Sequence, residues 1–488
     1  MIRLDTRRTP ADLLPKITRL FSLSAQKIAS IDATWRPENG APVFTVDGRY
    51  QARGWTEWTE GFVFGSALLQ FDADGHAAFL ELGRSRTIHR MAPHLTHMGV
   101  HDHGFNNVST YGNLWRLARE GRIDASDWER RFYELALRVS GAVQARRWTT
   151  LPSGGFIHSF NGAHSLFVDT MRSLRALALG HLLGQRLVEE QDRSVSLLDR
   201  LVQHARSTAQ WSVYYGDGRD RYDVAGHRGR TAHESLFNVA NGTYRGPSSQ
   251  QGYSPFSTWT RGLAWAITGF AEQLEFLAER PYDDFGGEAN RDAIEDWMIE
   301  AARATSDFYI DQGTASDGVP YWDTGAPGLV SLADWAGRPA DPFNDHEPVD
   351  SSAAAIAAQG LIRLARVLAA RGEDGNRYEQ AGLGVLAALL DERGPYLSTA
   401  NAHQGLLLHS IYHRPNGWDY VPEGSRIPRG ESSQWGDYHL REAALLVRRI
   451  ARGEPYPTFF GPAPHASFRL KPEATPAETK DPTTEIDR

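Results

Sequence analysis

Asp350-Ser-Ser-Ala-Ala-Ala-Ile-Ala-Ala-Gln-Gly-Leu-Ile, residues 350–362, opens on a good helix N-cap and then places small and apolar side chains on several faces. A helix with that pattern is surrounded by protein on most sides. Asp127-Trp-Glu-Arg-Arg-Phe-Tyr-Glu-Leu-Ala-Leu behaves differently, because it keeps a charged face for solvent. Apolar spacing and caps predict about twelve helices of these two kinds. They lie near 10–30, 58–71, 107–120, 126–145, 165–185, 192–210, 257–277, 290–312, 351–370, 375–392, 400–411 and 434–451. Helices buried all round and helices half exposed fit two concentric layers. The simplest closure is an all-α, six-hairpin (α/α)6 barrel. Short strands are expected near Phe44–Val46 and Ser212–Tyr215, with no large sheet.

No domain-splitting linker interrupts this pattern, so residues 1–468 read as one barrel domain with long functional loops. Residues 469–488, rich in Pro, Thr and Glu, read as a disordered tail. The connections 211–256 and 312–350 exceed ordinary turns, and loops of that length in a compact domain usually carry function.

Composition narrows the chemistry. Among 488 residues there is no cysteine, which excludes disulfides, thiol nucleophiles and iron–sulfur ligation. The formal charge is −8 with no basic block, so nucleic acid is not an expected partner. The N-terminal stretch lacks the apolar core of a signal peptide, and no 18-residue apolar run follows. The expectation is a cytoplasmic protein without a membrane partner. Aromatic residues make up 11% of the chain, and their flat rings suit sugars as well as cores.

Two acidic motifs stand out. His101-Asp-His-Gly-Phe lies in a loop entering a helix, and Phe167-Val-Asp-Thr-Met puts Asp169 in an otherwise apolar stretch. Asp102 and Asp169 are 67 residues apart, hence on different hairpins, and can meet only across a central cavity. Paired carboxylates facing a sugar are equipment for acid/base chemistry. Taken singly, Asp169 reads more readily as a first-turn charge favoured by the helix dipole than as a catalytic group. His89, His94, His97, His101 and His103 resemble a metal-ligand run, but no HExxH helix accompanies them, and Pro93, Gly99 and Gly104 make them loop or pocket histidines.

The motifs together resemble glycoside hydrolase family 88, the unsaturated glucuronyl hydrolases, whose fold is the six-hairpin α/α barrel. The elements follow in family order from Trp58-Thr-Glu-Gly-Phe, through His101-Asp-His-Gly-Phe, Val168-Asp-Thr-Met, Gln251-Gly-Tyr and Ser257-Thr-Trp-Thr-Arg-Gly-Leu-Ala-Trp. They continue with Asp317-Gly-Val-Pro-Tyr-Trp-Asp, the Asp350 segment and Trp435-Gly-Asp-Tyr. The related family 105 unsaturated rhamnogalacturonyl hydrolases are the second choice.

The resemblance implies hydrolysis of lyase-generated oligosaccharides with a 4,5-unsaturated uronic acid at the non-reducing end. An acid protonates C4, water adds at C5, and the hemiketal collapses. It assigns Asp169 as general acid/base and Asp102 as its supporting aspartate. It counts Trp58, His101, Phe160, His233, Gln251, Trp259, Arg261, Ser432 and Ser433 as substrate-binding. No metal or organic cofactor is implied, and the chain is expected to be a monomer or homodimer. To act as an acid, Asp169 needs a raised pKa, which burial and Asp102 would supply against the helix dipole. Phe160 stands where the family has Trp, Gln250 where it often has His, and His103 where it has Leu. These departures leave the adjoining sugar and its sulfation open. A polysaccharide lyase or sugar epimerase on the same barrel, or a sugar-binding barrel without catalysis, is the alternative.

Overall fold

Twelve main helices occur among the residues that the computed structural model describes, 1–53 and 58–460. The expected tail at 469–488, and residues 461–468 of the barrel assignment, lie outside them. In chain order the helices are α1 (Leu14–Thr34), α2 (Glu60–Asp74), α3 (Ala77–Arg90) and α4 (His103–Asn107, a π-helical turn Val108–Gly112, then Asn113–Arg119). Next come α5 (Asp127–Arg146), α6 (Thr170–Ser173 and Arg175–Leu182), α7 (Leu197–Trp211) and α8 (Thr260–Ala278). The chain closes with α9 (Glu288–Phe308), α10 (Ser351–Ala370), α11 (Asn376–Leu389) and α12 (Gln434–Ala451).

Inner and outer helices alternate. Every residue is buried from Thr260 to Leu277 in α8, from Ser351 to Ala365 in α10 and from Gln434 to Val447 in α12. The outer α1 buries Ile17, Leu20, Phe21, Ser24, Lys27, Ile28 and Ile31, a single stripe at helical spacing. The even-numbered helices pack consecutively, α2 on α4 and so on to α12, which returns to α2 and closes the ring. This is the (α/α)6 barrel that the two helix types implied. The helix α10 is long and apolar enough to cross a membrane, but it lies buried within this ring.

Each seam of the inner ring contains a glycine. Gly61 faces the Asn106 backbone, Gly104 the Ser173 carbonyl, and Gly269 the Met171–Arg172 peptide. Gly360 faces Thr268, Gly436 approaches Ser352, and Gly65 meets the Tyr438 ring. Side chains at these points would hold the helices apart. One turn into α6, fully buried Arg172 contacts Glu272 of α8 and Glu442 of α12, each at 2.8 Å. That charge set ties three inner helices together.

Several elements differ from the sequence reading. Residues 400–411 form no helix: Leu397 bridges Leu407, and the Asp437 carboxylate takes the N–H groups of Leu406 and Leu407. The helix α3 escaped notice because it buries only Gly83 and Thr87 and so shows no apolar stripe. The start of 165–185 is a strand, not helix. β1 (Phe44–Val46) pairs with β2 (Arg49–Gln51), and β3 (Trp148–Leu151) with β4 (Gly154–Ile157). β5 (Ser165–Phe167) pairs antiparallel with β8 (Glu234–Phe237), which pairs with β9 (Tyr244–Ser248), while β6 (Arg186–Glu189) and β7 (Arg193–Ser196) form a separate hairpin.

The ring makes a specific demand at Gly104, where a methyl group would overlap the Ser173 carbonyl. Gly104→Ala is expected to destabilise the fold by about 1–3 kcal/mol, read as a lowered urea midpoint. An unchanged midpoint would show that α4 and α6 can part without cost.

Candidate active site

All six inner helices start at one end of the barrel, where a pocket opens. Their N-cap residues are Thr59, Asp102, Asp169, Trp259, Asp350 and Ser433. Helix N-termini carry partial positive charge, so this end favours carboxylates, from the protein or from a ligand. The pocket has about 860 Å³ of empty space including its mouth, within the usual range for small-molecule sites. Trp58, His101, Asp102, Phe160, Asp169, Gln251, Trp259 and Arg261 line it, together with Val100, Phe105, Trp265, Gln250 and the 412–418 loop.

The two aspartates meet here, across the central pocket. Asp102 enters from the turn before α4, and Asp169 from the turn between β5 and α6, each only 7% exposed. His101 lies between them. Its Nε2 is 3.6 Å from Asp102 Oδ1 and 3.3 Å from Asp169 Oδ1. The imidazole stacks on Phe160 at 6.0 Å and meets the edge of Phe167 at 5.4 Å. Its backbone carbonyl accepts hydrogen bonds from Gln144 and Ser173. His101 is 2% exposed, and its place is between the acids rather than at the pocket mouth.

The electrostatics reverse one expectation. Burial pushes the Asp169 carboxyl up, but the hydrogen bond and charge of His101 and the Thr170 N–H outweigh it, leaving the pKa below the usual value. Burial pushes His101 down, yet the charges of Asp102 and Asp169 win and raise its pKa. Both shifts favour a proton on the imidazole and an ionised Asp169.

His233 stands behind the pocket wall, between Phe167 (ring centroids 4.4 Å) and Trp259 (4.7 Å). The pairing of β5 with β8 puts it there, since Val168 N–H donates to the His233 carbonyl. Nδ1 accepts from the N–H groups of Gln250 and Gln251, which fixes the tautomer with the proton on Nε2. Burial lowers its pKa to about 4, so the ring is neutral. Its role is to hold the Gln250–Gln251 backbone.

Arg261 is buried and paired with Asp350, and it donates to the carbonyls of Ile411 and Tyr412 and, at 3.3 Å, to Gln251 Oε1. It presents Gln251 and secures the far wall. Trp58 stacks on Trp435 with centroids 4.9 Å apart.

Ser432 and Ser433 are not among the residues lining the pocket. Both are fully buried, Ser432 Oγ donating to the Leu407 carbonyl and Ser433 Oγ capping α12 through Gly436 N–H. Ser432 looks inward because the crossing segment 404–407 needs a partner, and Ser433 because the start of α12 needs a cap.

Sequence reasoning missed Tyr412, His413, Asn416 and Trp418, which complete the wall. The stretch Ile-Tyr-His-Arg-Pro-Asn-Gly-Trp, an aromatic loop marked by Pro, Asn and Gly, was the available signal, hidden by reading the preceding residues as helix. Asp419 holds this loop by accepting from Tyr412 and His413 N–H groups, and burial raises its pKa to about 6. The histidine run disperses: His94 pairs with Glu60, His103 with Ser140, and only His101 reaches the pocket. Among the described residues no three His, Asp or Glu side chains converge as a metal site.

No family model matches the chain. It is 25% identical over 419 residues to an unsaturated glucuronyl hydrolase of Bacillus sp. strain GL1, spanning 82% of this chain and 89% of that protein. It is 24% identical over 470 residues to an unsaturated chondroitin disaccharide hydrolase of Streptococcus pyogenes serotype M1, spanning 93% and 97%. The solved structure of the Bacillus protein superposes with a TM-score of 0.65 at 22% identity, covering 90% of this chain and 96% of that one. A Streptococcus agalactiae unsaturated glucuronyl hydrolase variant, solved with dGlcA-GalNAc6S, gives 0.58 at 18% identity, covering 94% and 98%.

The raised pKa of His101 has a measurable sign. Its unfolded pKa is about 6.5, so the stability it lends is full below that pH and fades as pH rises through the higher folded value. His101→Gln is expected to cost more stability at pH 5.5 than at pH 9 in urea titrations. Equal costs at both would mean that the imidazole carries no proton between the aspartates.

Proposed function

We propose that this chain, related in sequence to the unsaturated glucuronyl hydrolases and sharing their fold, hydrolyses oligosaccharides that end in a 4,5-unsaturated uronic acid. Membership of glycoside hydrolase family 88 is part of this reading. The observation that carries it is the pair of buried carboxylates bridged by one protonatable imidazole, in a ring-lined pocket at six helix N-termini.

The substrate's chemistry matches that site. Its uronate carboxylate is an anion, favoured where helix dipoles converge. Trp58, Trp259 and Phe160 offer faces for the sugar ring. An added negative charge near Asp169 raises that carboxyl's pKa, and Nε2 of His101 lies 3.3 Å from Asp169 Oδ1. A bound anion thus favours the protonated carboxyl that must deliver the proton.

Asp169 then gives that proton to C4, the C4=C5 electron pair forming the new C–H bond while the ring oxygen stabilises the cation at C5. Water adds to C5 and returns a proton to the Asp169 carboxylate. The C5 hemiketal opens to a ketone, leaving a hemiacetal at C1 that expels the adjoining sugar. Asp102 keeps His101 charged and close, and Gln251, held by Arg261, has its amide N–H groups left to orient the water or the uronate.

Loss of ultraviolet absorbance by the conjugated double bond reports turnover, whereas a lyase would create that absorbance. Asp169→Asn is expected to lower kcat/KM by roughly 10²–10⁴-fold or more with little change in the urea midpoint. Near-full activity of that variant would remove Asp169 from the acid's role. Turnover in ¹⁸O-labelled water should place the label at C5, and label at C1 of the released sugar acid would indicate direct displacement instead.

A further inference from the structure

The connection 211–256 has chemistry that the catalytic pocket does not use. On the other side of the Gln250–Trp259 loop from that pocket lies a second cleft, with about 990 Å³ of empty space including its mouth. Arg221, Tyr222, His227, Arg230 and Phe256 give it its character. Tyr222 and Phe256 lie nearly parallel, with centroids 5.3 Å apart and planes 23° apart, and Phe256 is 61% exposed. A large ring held in place yet left open to water is a platform without a load.

Two guanidinium groups beside it lack an acidic partner, although Arg221 lies 4.7 Å over the Tyr222 ring and donates to its hydroxyl. The neighbouring Arg219 and Arg228 are ion-paired, with Asp220 at 3.1 Å and Glu300 at 3.2 Å. Arg221, His227 and Arg230 have no carboxylate within ion-pair distance among the described residues. Arg230 is the telling one, being only 6% exposed. It donates to the Tyr222 carbonyl at 3.0 Å and to the Pro255 carbonyl at 3.5 Å, and its guanidinium lies 3.9 Å over the Tyr214 ring. Asp223, whose charge reaches Arg230, uses its oxygens on the N–H groups of Gly216 and Arg219. A buried guanidinium without a counter-ion is costly unless an anion arrives to meet it.

We propose that this cleft is a second binding site for an acidic saccharide, its ring lying on Phe256 and Tyr222 and its carboxylate or sulfate group meeting Arg230 and Arg221. A flat stack beside a fixed guanidinium fits a pyranose bearing an anionic group better than it fits a bare ion, which needs no ring. The choice of saccharide rests on the hydrolase reading, because an enzyme for uronate oligosaccharides works among such chains. The two sites share one loop: Gln250, Gln251 and Trp259 face the pocket, while Phe256 and Ser257 face the cleft.

Titration calorimetry on the full chain tests this with four probes. They are a glucuronate-containing tetrasaccharide with saturated non-reducing end, its sulfated form, its carboxyl-reduced neutral counterpart, and inorganic sulfate. The acidic tetrasaccharides should bind, the sulfated form distinguishing which anion is preferred, and the neutral one should bind about tenfold or more weakly. Phe256→Ala and Arg221→Gln should each weaken acidic tetrasaccharide binding about tenfold while changing turnover of an unsaturated disaccharide less than twofold. Unchanged affinity in both variants overturns the site. So does sulfate binding as tightly as the saccharides and indifferent to Phe256→Ala, since that marks a simple anion site. Wild-type protein that turns over no unsaturated disaccharide sinks the hydrolase reading. Normal turnover with tetrasaccharide binding insensitive to both substitutions sinks only the cleft.

Discussion

Six helices can converge on one small pocket only if their backbones nearly touch, and the glycine at every seam of the inner ring is what permits that. Gly360 shows the constraint plainly: a Cβ there would lie 2.7 Å from the Thr268 backbone. With such approaches repeated around the ring, the helix N-termini crowd together, and the residues that begin those helices become neighbours. Large side chains then gather where the small ones leave room, Trp58, Trp259, Trp265 and Trp435 among them. The buried charges follow from the same crowding. The pair Arg172 and Arg175 would be costly in isolation, but Glu272 and Glu442 on adjacent helices balance it. Its value lies in fixing how those helices sit, because removing either partner leaves a charge without compensation.

The same geometry accounts for the behaviour of the acids. Asp102 and Asp169 are buried like charges, a combination that ordinarily forces one of them to take up a proton. Here His101 takes it instead. Its charge offsets part of theirs, at an end of the barrel where the helix dipoles favour negative charge. Asp169 therefore rests in its base form, and its acid form depends on what enters the pocket.

Most of the barrel was legible because its inner helices are buried all round and its outer ones carry stripes, two patterns that periodicity separates. What escaped had a physical reason in each case. The helix α3 packs through Gly83 and Thr87 with hardly any apolar stripe. Residues 400–411 have helical-looking composition, but Asp437 claims their backbone donors from another element. The acids of the site were visible as polar interruptions in apolar stretches. The serines at 432 and 433 were visible too, yet only the packing shows that Ser432 serves the crossing segment and Ser433 the start of α12. Nor could composition tell that His101 stands between the aspartates, because that depends on how two hairpins meet.

Chemistry and recognition are thus written in different parts of this chain. The reacting groups sit at helix starts, where the glycine seams leave almost no freedom and the residue type is dictated by field and burial. The walls that meet the rest of a substrate belong to connections, and those are fastened from below by residues of the ring. Arg261 holds Ile411 and Tyr412 by their carbonyls, Asp419 holds Tyr412 and His413 by their N–H groups, and His233 holds Gln250 and Gln251 in the same manner. Each anchor grips backbone, and Arg261 also holds the Gln251 side chain. The course of the walls is therefore set by buried residues that are distinct from the two aspartates.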